Sequence, residues 1–289
     1  MLRSALRNVI AIAAALTAAM APADADPASG VLQPAGSAPA PEGAAPAWLV
    51  ADLDTGEVLA SRDAHGRYRP ASTIKTLLAI VVLDELDTAQ KVTETDADEV
   101  ADRESVVKFI RPGEVRSVYE LLEATLMISS NGAANALARS LGGVGAAVAK
   151  MNAEAARLGA LDTHAATPSG LEAPGASTSP NDLALLFQAA LRRPDFAAIV
   201  GQESAALPGA QLVNRDPLLG SYPGMLGGKT GFTDEAQYNF VGAAARSGRR
   251  LVVAVMHNPG SYPARQAGAL LDWGFELEPG LGVGSLRSS

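Results

Sequence analysis

The 289-residue sequence predicts an α+β fold, with one sheet assembled from the two ends of the chain and a mainly helical insertion between them. Three observations carry this. Near the start, Ala47-Trp48-Leu49-Val50-Ala51-Asp52-Leu53 is strand-like, Asp54-Thr55-Gly56 supplies a turn, and Val58-Leu59-Ala60 begins a return strand. Near the end, residues 238–245 and 251–257 are strand-like again, joined at Ser247-Gly248. From about Asp87 to Pro217 the pattern is mainly helical, without an internal repeat.

The elements follow in order. After Arg69-Pro70-Ala71, residues 72–86 read as a helix with Ser72 as a fair N-cap. Leu77, Leu78, Ile80, Val81, Val82 and Leu83 leave it no polar face, so it belongs in the core. Breaks fall at Arg111-Pro112-Gly113 and Pro168-Ser169-Gly170. Residues 119–127 and 132–141 are helical and meet at Ser129-Ser130-Asn131. Residues 181–191 form a helix approached through Thr178-Ser179-Pro180. Residues 224–230 supply a third late strand and residues 263–273 a closing helix.

Outside this body lie two segments of different character. Arg3 and Arg7, the apolar run 9–21 and Ala23-Asp24-Ala25 form an export signal over residues 1–25 with a small-x-small cleavage site. The run has 13 residues, short of the roughly 20 that span a bilayer, so cleavage is favoured over a retained anchor. Residues 26–46 are rich in Ala, Pro, Gly and Ser and read as a flexible linker. Residues 47–275 then form the catalytic domain, with a helical subdomain over roughly 88–215, and residues 276–289 a short tail. That tail has no room for a second β domain or a C-terminal amphipathic anchor. An exported, extracytoplasmic location follows, in the envelope or secreted.

Composition excludes several chemistries. Without residues 1–25 the chain carries 21 basic against 30 acidic side chains, the wrong sign for a nucleic-acid partner. There is no cysteine, which removes disulfides, thiol catalysis and thiolate metal sites. His65, His164 and His257 have no metal-ligand spacing, so no metal and no cofactor is expected.

Serine activated by lysine remains. Ser-x-x-Lys sets two side chains one helical turn apart on one face, within mutual reach. The chain holds two such patterns. Ser72-Thr73-Ile74-Lys75 opens the apolar helix, whereas Ser105-Val106-Val107-Lys108 runs into Pro112-Gly113 and reads as an accident. Ser129-Ser130-Asn131 and Lys229-Thr230-Gly231 follow in order, and two of the five lysines fall within these motifs. The ordered triple is the signature set of penicillin-binding proteins and serine β-lactamases.

On these residues the chain resembles the low-molecular-weight penicillin-binding proteins that act as D-alanyl-D-alanine carboxypeptidases. The resemblance covers about residues 48–275 and extends to Arg69-Pro70-Ala71, Pro112-Gly113-Glu114, Ser169-Gly170-Leu171 and Leu270-Leu271-Asp272-Trp273-Gly274-Phe275. It implies a β-lactamase/DD-peptidase-like antiparallel sheet flanked by helices, with an inserted all-helical subdomain and the site in the cleft between them. It also implies the roles. Ser72 attacks the carbonyl of the penultimate D-alanine of a peptidoglycan stem peptide and forms an acyl-enzyme. Lys75 is the base, for which its pKa must fall from about 10.4 by about three pH units, equivalent to ~4 kcal/mol. Ser129 passes a proton to the departing amine, and Asn131 binds the substrate amide or Lys75. Lys229 and Thr230 bind the terminal carboxylate, helped by Arg265, and Gly231 lets the substrate backbone approach. The amides of Ser72 and Phe232 form the oxyanion hole. β-Lactam antibiotics are expected as covalent inhibitors.

Two rival readings stand beside this one. A class A-like β-lactamase needs a deacylating Glu in the loop before the third motif and usually Ser-Asp-Asn in the second. Here that loop reads Gly170-Leu171-Glu172-Ala173-Pro174-Gly175 and the second motif Ser-Ser-Asn, which favours the peptidase. A non-catalytic penicillin sensor on the same fold ranks third. Ser130-Asn131-Gly132 stands where the family more often has Gly-Asn-Asp, which leaves the packing of the second motif open.

Overall fold

The structure, a computed structural model, describes residues 23–26, 30–260 and 263–286. Its elements run β1 (Ala23–Asp26), β2 (Val31–Pro34), β3 (Ala47–Asp52), β4 (Glu57–Arg62), a 3-10 turn (Ala71–Ile74), α1 (Lys75–Glu85), β5 (Lys91–Thr93), α2 (Asp96–Asp102), β6 (Val115–Ser117), α3 (Val118–Met127), α4 (Asn131–Ser140) and α5 (Val144–Leu158). There follow α6 (Pro180–Leu191), α7 (Pro194–Val200), β7 (Ser204–Leu207), β8 (Ala210–Val213), β9 (Met225–Thr233), β10 (Gln237–Arg246), β11 (Arg249–Asn258), α8 (Ala264–Glu276) and β12 (Gly284–Ser285).

The main sheet has the order β1-β2-β4-β3-β11-β10-β9, with β12 beside β4, and every pairing is antiparallel. Strands from the two ends of the chain thus meet at β3 and β11, where Val50 faces Val253. Side chains alternate across a strand, and here both faces are covered, so the middles of the central strands are apolar on both sides. Leu49, Ala51, Val252, Ala254 and Val241 point into the core shared with the helical insertion. Trp48, Val50, Leu251, Val253, Val255 and Phe240 point the other way, against Ala267, Leu270 and Leu271 of α8.

Helix starts are chemically marked. Ser117 and Glu120 form a reciprocal capping box at α3, Ser130 caps α4 by accepting from Ala133 N at 3.0 Å, and Ser179 precedes Pro180 at α6. The helix expected over residues 72–86 is instead a 3-10 turn followed by α1, and no side chain caps either. Ser72 is therefore not an N-cap, because its hydroxyl is engaged by Lys75. The insertion is mainly helical, with two additions that its pattern did not reveal: the short ladders β5–β6 and β7–β8. The second of these turns at Pro208-Gly209, where Gly209 takes φ +74.

The first 46 residues divide. The export signal expected over 1–25 lies outside the described residues, apart from Ala23 to Ala25 in β1. The linker expected over 26–46 is, from residue 30 onward, seated on the domain rather than loose. Val31 and Leu32 pair with Arg62 and Ser61, Trp273 Nε1 donates to Ala38 O at 2.9 Å, and Ala45 N donates to Gln266 Oε1 at 3.2 Å. Its composition cannot build a core alone, but it borrows a sheet edge and the side of α8.

Candidate active site

The 3-10 turn sets Ser72 at the mouth of a cavity of about 340 Å³ between the insertion and β9. Lys75 begins α1 one turn later, and its Nζ has three partners: Ser72 Oγ at 2.7 Å, Asn131 Oδ1 at 2.7 Å and Ser169 O at 2.8 Å. Two of these oxygens only accept. A neutral amine has two N–H bonds and one lone pair. Donation to Asn131 and Ser169 uses both N–H bonds and leaves the lone pair facing the Ser72 hydroxyl.

Electrostatics favour that neutral form. Lys75 is fully buried among apolar neighbours. Burial holds its pKa well below the ordinary lysine value, the charge of Lys229 pushes the same way, and the Asp102 carboxylate opposes. Lys229 is also buried, and its pKa is pushed down to about 7 by burial and then by Arg215, against Asp216. Its Nζ donates to Ser129 Oγ at 2.9 Å and to Thr230 O at 2.9 Å. Three motifs lying far apart in the chain are therefore linked in pairs: first to second through Lys75 and Asn131, second to third through Ser129 and Lys229.

The backbone is shaped to permit these contacts. Ser129 sits at φ +63, the left-handed region that non-glycine residues enter at a cost of roughly 1–2 kcal/mol. A Cβ at Gly231 would lie 3.1 Å from Ser72 N, so β9 runs directly against the Ser72 amide. Gly170 takes φ +82, and a Cβ there would lie 1.9 Å from Ala71 O. Glycine alone lets the 169–170 loop deliver its carbonyl to Lys75. Asn239 on β10 fixes the approach to Ser72 from the other side. Its Nδ2 donates to Arg69 O at 2.8 Å and Pro70 O at 3.1 Å, while its Oδ1 accepts from His257 N at 2.8 Å.

The match to known families agrees with this geometry. The family model described as D-alanyl-D-alanine carboxypeptidase matches residues 35–260. The chain belongs to this family. D-alanyl-D-alanine carboxypeptidase DacB2 of Mycobacterium tuberculosis is 51% identical over 91% of this chain and 92% of its own length. A crystal structure of a D-alanyl-D-alanine carboxypeptidase from M. tuberculosis H37Rv superposes with a TM-score of 0.84 at 49% identity, covering 88% of this chain and 99% of that one. The Streptomyces K15 DD-transpeptidase superposes with a TM-score of 0.79 at 29% identity, covering 83% and 100%. This carboxypeptidase family member is a hydrolase with the fold expected from the sequence.

Of the residues singled out in the sequence, Ser72, Ser129, Asn131, Thr230, Gly231 and Phe232 line the cavity, and Lys75 and Lys229 lie beneath it, bonded to Ser72 and Ser129. Phe232 is 47% exposed and packs on Tyr238, with ring centroids 4.4 Å apart. Arg265 is not brought in. It lies on the exposed side of α8, although Pro263 and Ala264 just before it line the cavity. The cation on the lining is Arg215, in the loop after β8. Among the described residues, no group of three or more His, Asp or Glu is arranged to hold a metal.

Three contributors escaped sequence reasoning. Asn239, Arg215 and Asp102 act through positions that only folding creates, and no local pattern marks them. Ser169 stood in a stretch already singled out, but only folding brings its carbonyl to Lys75. Ser105 had a signal in its Ser-x-x-Lys spacing, but not the one its pattern suggested. Its hydroxyl accepts from Asn131 N at 2.7 Å, and Lys108 donates to the carbonyls of Asp102, Arg103 and Ser105.

Proposed function

We propose that this enzyme removes the terminal D-alanine from peptidoglycan pentapeptides through an acyl-enzyme on Ser72. The observation that carries the reading is the fully buried Lys75 Nζ lying 2.7 Å from Ser72 Oγ, where burial holds its pKa well below the ordinary lysine value and so favours the neutral base. Lys75 takes the proton as Ser72 Oγ attacks the penultimate carbonyl. The carbonyl oxygen becomes an oxyanion against the amides of Ser72 and Phe232, and Ser129 delivers a proton to the departing D-alanine nitrogen. Water then cleaves the ester, returning Ser72 and an acid.

Recognition follows from charge. The substrate ends in a carboxylate, and protonated Lys229, with Thr230 beside it and Arg215 on the lining, supplies matching positive charge and a hydroxyl. Asn131 has its carbonyl oxygen on Lys75, which leaves its amide N–H groups for the substrate. A peptidase on wall peptides works outside the cytoplasm, in keeping with the basic-apolar start of the sequence. No helix among the described residues is long and apolar enough to cross a membrane.

The loop glutamate that the β-lactamase reading would use for deacylation is not at the cavity. Glu172 is fully exposed, accepts from Glu235 N at 2.8 Å and is not part of the cavity lining. The K15 neighbour is named for transpeptidation, which shares the acyl-enzyme and differs only in an amine replacing water as acceptor. The test is to incubate the enzyme with a labelled penicillin and with a defined pentapeptide. Covalent label on Ser72 and free D-alanine, both lost in Ser72→Ala, are expected. Absence of label would sink the acyl-enzyme. D-alanine leaves in either reaction, so a ligated peptide in place of the shortened peptide acid would favour transfer.

A further inference from the structure

We infer that Asp102 is a positioning residue for the reaction, the single buried carboxylate that holds the 129–131 turn in its working shape. The inference rests on the reading that Ser72 is the nucleophile and Lys75 its base. Asp102 ends α2 and is 2% exposed, and it touches none of the reacting atoms. Its Oδ1 accepts from Ser130 Oγ at 2.7 Å and from Gly132 N at 3.2 Å. Its Oδ2 accepts from Phe109 N at 2.7 Å and from Ile110 N at 3.1 Å. The Ser105 side chain helps hold the same carboxylate ionised, and its hydroxyl accepts from Asn131 N at 2.7 Å. Residues 130, 131 and 132 are thus all tied to one anion, two directly and one through Ser105.

The turn needs such a clamp. Ser129 stands in the left-handed region at φ +63, a conformation that persists only where the surroundings over-determine it. On one side of this strained residue Ser129 Oγ meets Lys229, and on the other Asn131 Oδ1 meets Lys75, so a slip of the turn breaks both links at once. All the partners of Asp102 are donors, which an ionised carboxylate accepts without conflict. Burial pushes its pKa up, but the hydrogen bonds from Phe109, Ser105, Ser130 and Ile110 outweigh that and hold it ionised.

Gly132 belongs to the same device. A Cβ at position 132 would lie 2.7 Å from Asp102 Cβ and 2.6 Å from Asp98 O. Glycine therefore lets α2 close on α4 until the carboxylate reaches the Gly132 amide. This gives a physical account of the Ser-Asn-Gly sequence at 130–132: the hydroxyl of Ser130 and the bare amide of Gly132 are the two groups that an external carboxylate requires. Ser105-Val106-Val107-Lys108 completes the arrangement, with Lys108 Nζ donating to Asp102 O and Ser105 O at 2.9 Å each and so closing the chain after α2.

The experiment compares wild type, Asp102→Asn and Ser105→Ala, each with a folded fraction and melting midpoint measured alongside acylation by a labelled penicillin. Asp102→Asn keeps shape but turns an N–H₂ donor against other donors. Its acylation rate constant per folded molecule should fall about 10²-fold, the scale of a misplaced catalytic group, with the reversible binding constant unchanged. Ser105→Ala removes the hydroxyl that joins Asn131 N to the Asp102 carboxylate and should slow acylation about tenfold at an unchanged melting midpoint. A folded Asp102→Asn enzyme acylating at the wild-type rate would overturn the inference, since a merely structural clamp lowers stability and not the rate per folded molecule. If Asp102→Asn does not fold, Ser105→Ala decides, and wild-type acylation in it overturns the inference equally. Failure of the wild type itself to take label falls on the proposed function instead.

Discussion

Replacing Asn131 by Asp tests the neutral-lysine chemistry with a change of one atom type. The side chain keeps its size, but the oxygen that Lys75 Nζ meets at 2.7 Å becomes part of a carboxylate. At an effective dielectric of about 20, opposite unit charges at that distance attract by about 6 kcal/mol. Burying the carboxylate costs several kcal/mol, and a net of about 3 kcal/mol in favour of the charged pair is a reasonable remainder. That reduces the neutral fraction of Lys75 about 10²-fold, since each 1.36 kcal/mol is tenfold. Acylation by a labelled penicillin at pH 7 should fall by the same factor, and much of it should return as the pH is raised. Stopped-flow or quenched acylation across pH 6 to 10 provides the assay. An Asn131→Asp enzyme as fast as wild type at pH 7 would refute the assignment of neutral Lys75 as base. A uniform loss with no recovery at high pH would show that the amide serves the substrate and not the lysine.

Two further outcomes follow from the same geometry. Lys229 carries the charge that the substrate carboxylate needs, and its pKa is pushed down to about 7. As pH rises through that value the proton leaves, so kcat/KM of the free enzyme should decline on that limb. Asp216, buried beside it, favours the protonated lysine, and Asp216→Asn should move the decline to lower pH. A decline that moves upward, or none at all, contradicts that role. Gly170→Ala places a Cβ 1.9 Å from Ala71 O on a backbone at φ +82. The left-handed strain alone costs roughly 1–2 kcal/mol, and the clash must displace either the Ser169 carbonyl or the nucleophile turn. Acylation should fall more than stability does, which melting and labelling read separately. A variant that labels normally would show that the carbonyl contact is dispensable.

Much of the fold was legible because its signals are local. The 47–53, 238–245 and 251–257 runs are largely apolar, as strands covered on both faces have to be. Ser179-Pro180 marked a helix start through the ordinary chemistry of unsatisfied amides. The β7–β8 ladder was missed although Pro208-Gly209 signalled a turn, because runs of four residues are too short to show a period. Residues 30–46 were misjudged for a different reason. Their composition reports what the segment can bury by itself, and their partners Arg62, Gln266 and Trp273 lie elsewhere in the chain.

The chemistry divides in the same way. The sequence by itself determined the candidate pair, since Ser72 and Lys75 are one turn apart and their mutual reach is a property of local backbone. It also determined the order of the three motifs. What only the tertiary structure decided is the state of those groups. The lowered pKa of Lys75 depends on burial and on Lys229 some 150 residues away, neither of which a spacing can report. Arg265 and Arg215 make the same point in reverse, because which arginine meets the cavity depends on how α8 and the loop after β8 are packed. Covalent neighbours fix which atoms meet locally, whereas charge and solvation depend on everything the folded chain places around them.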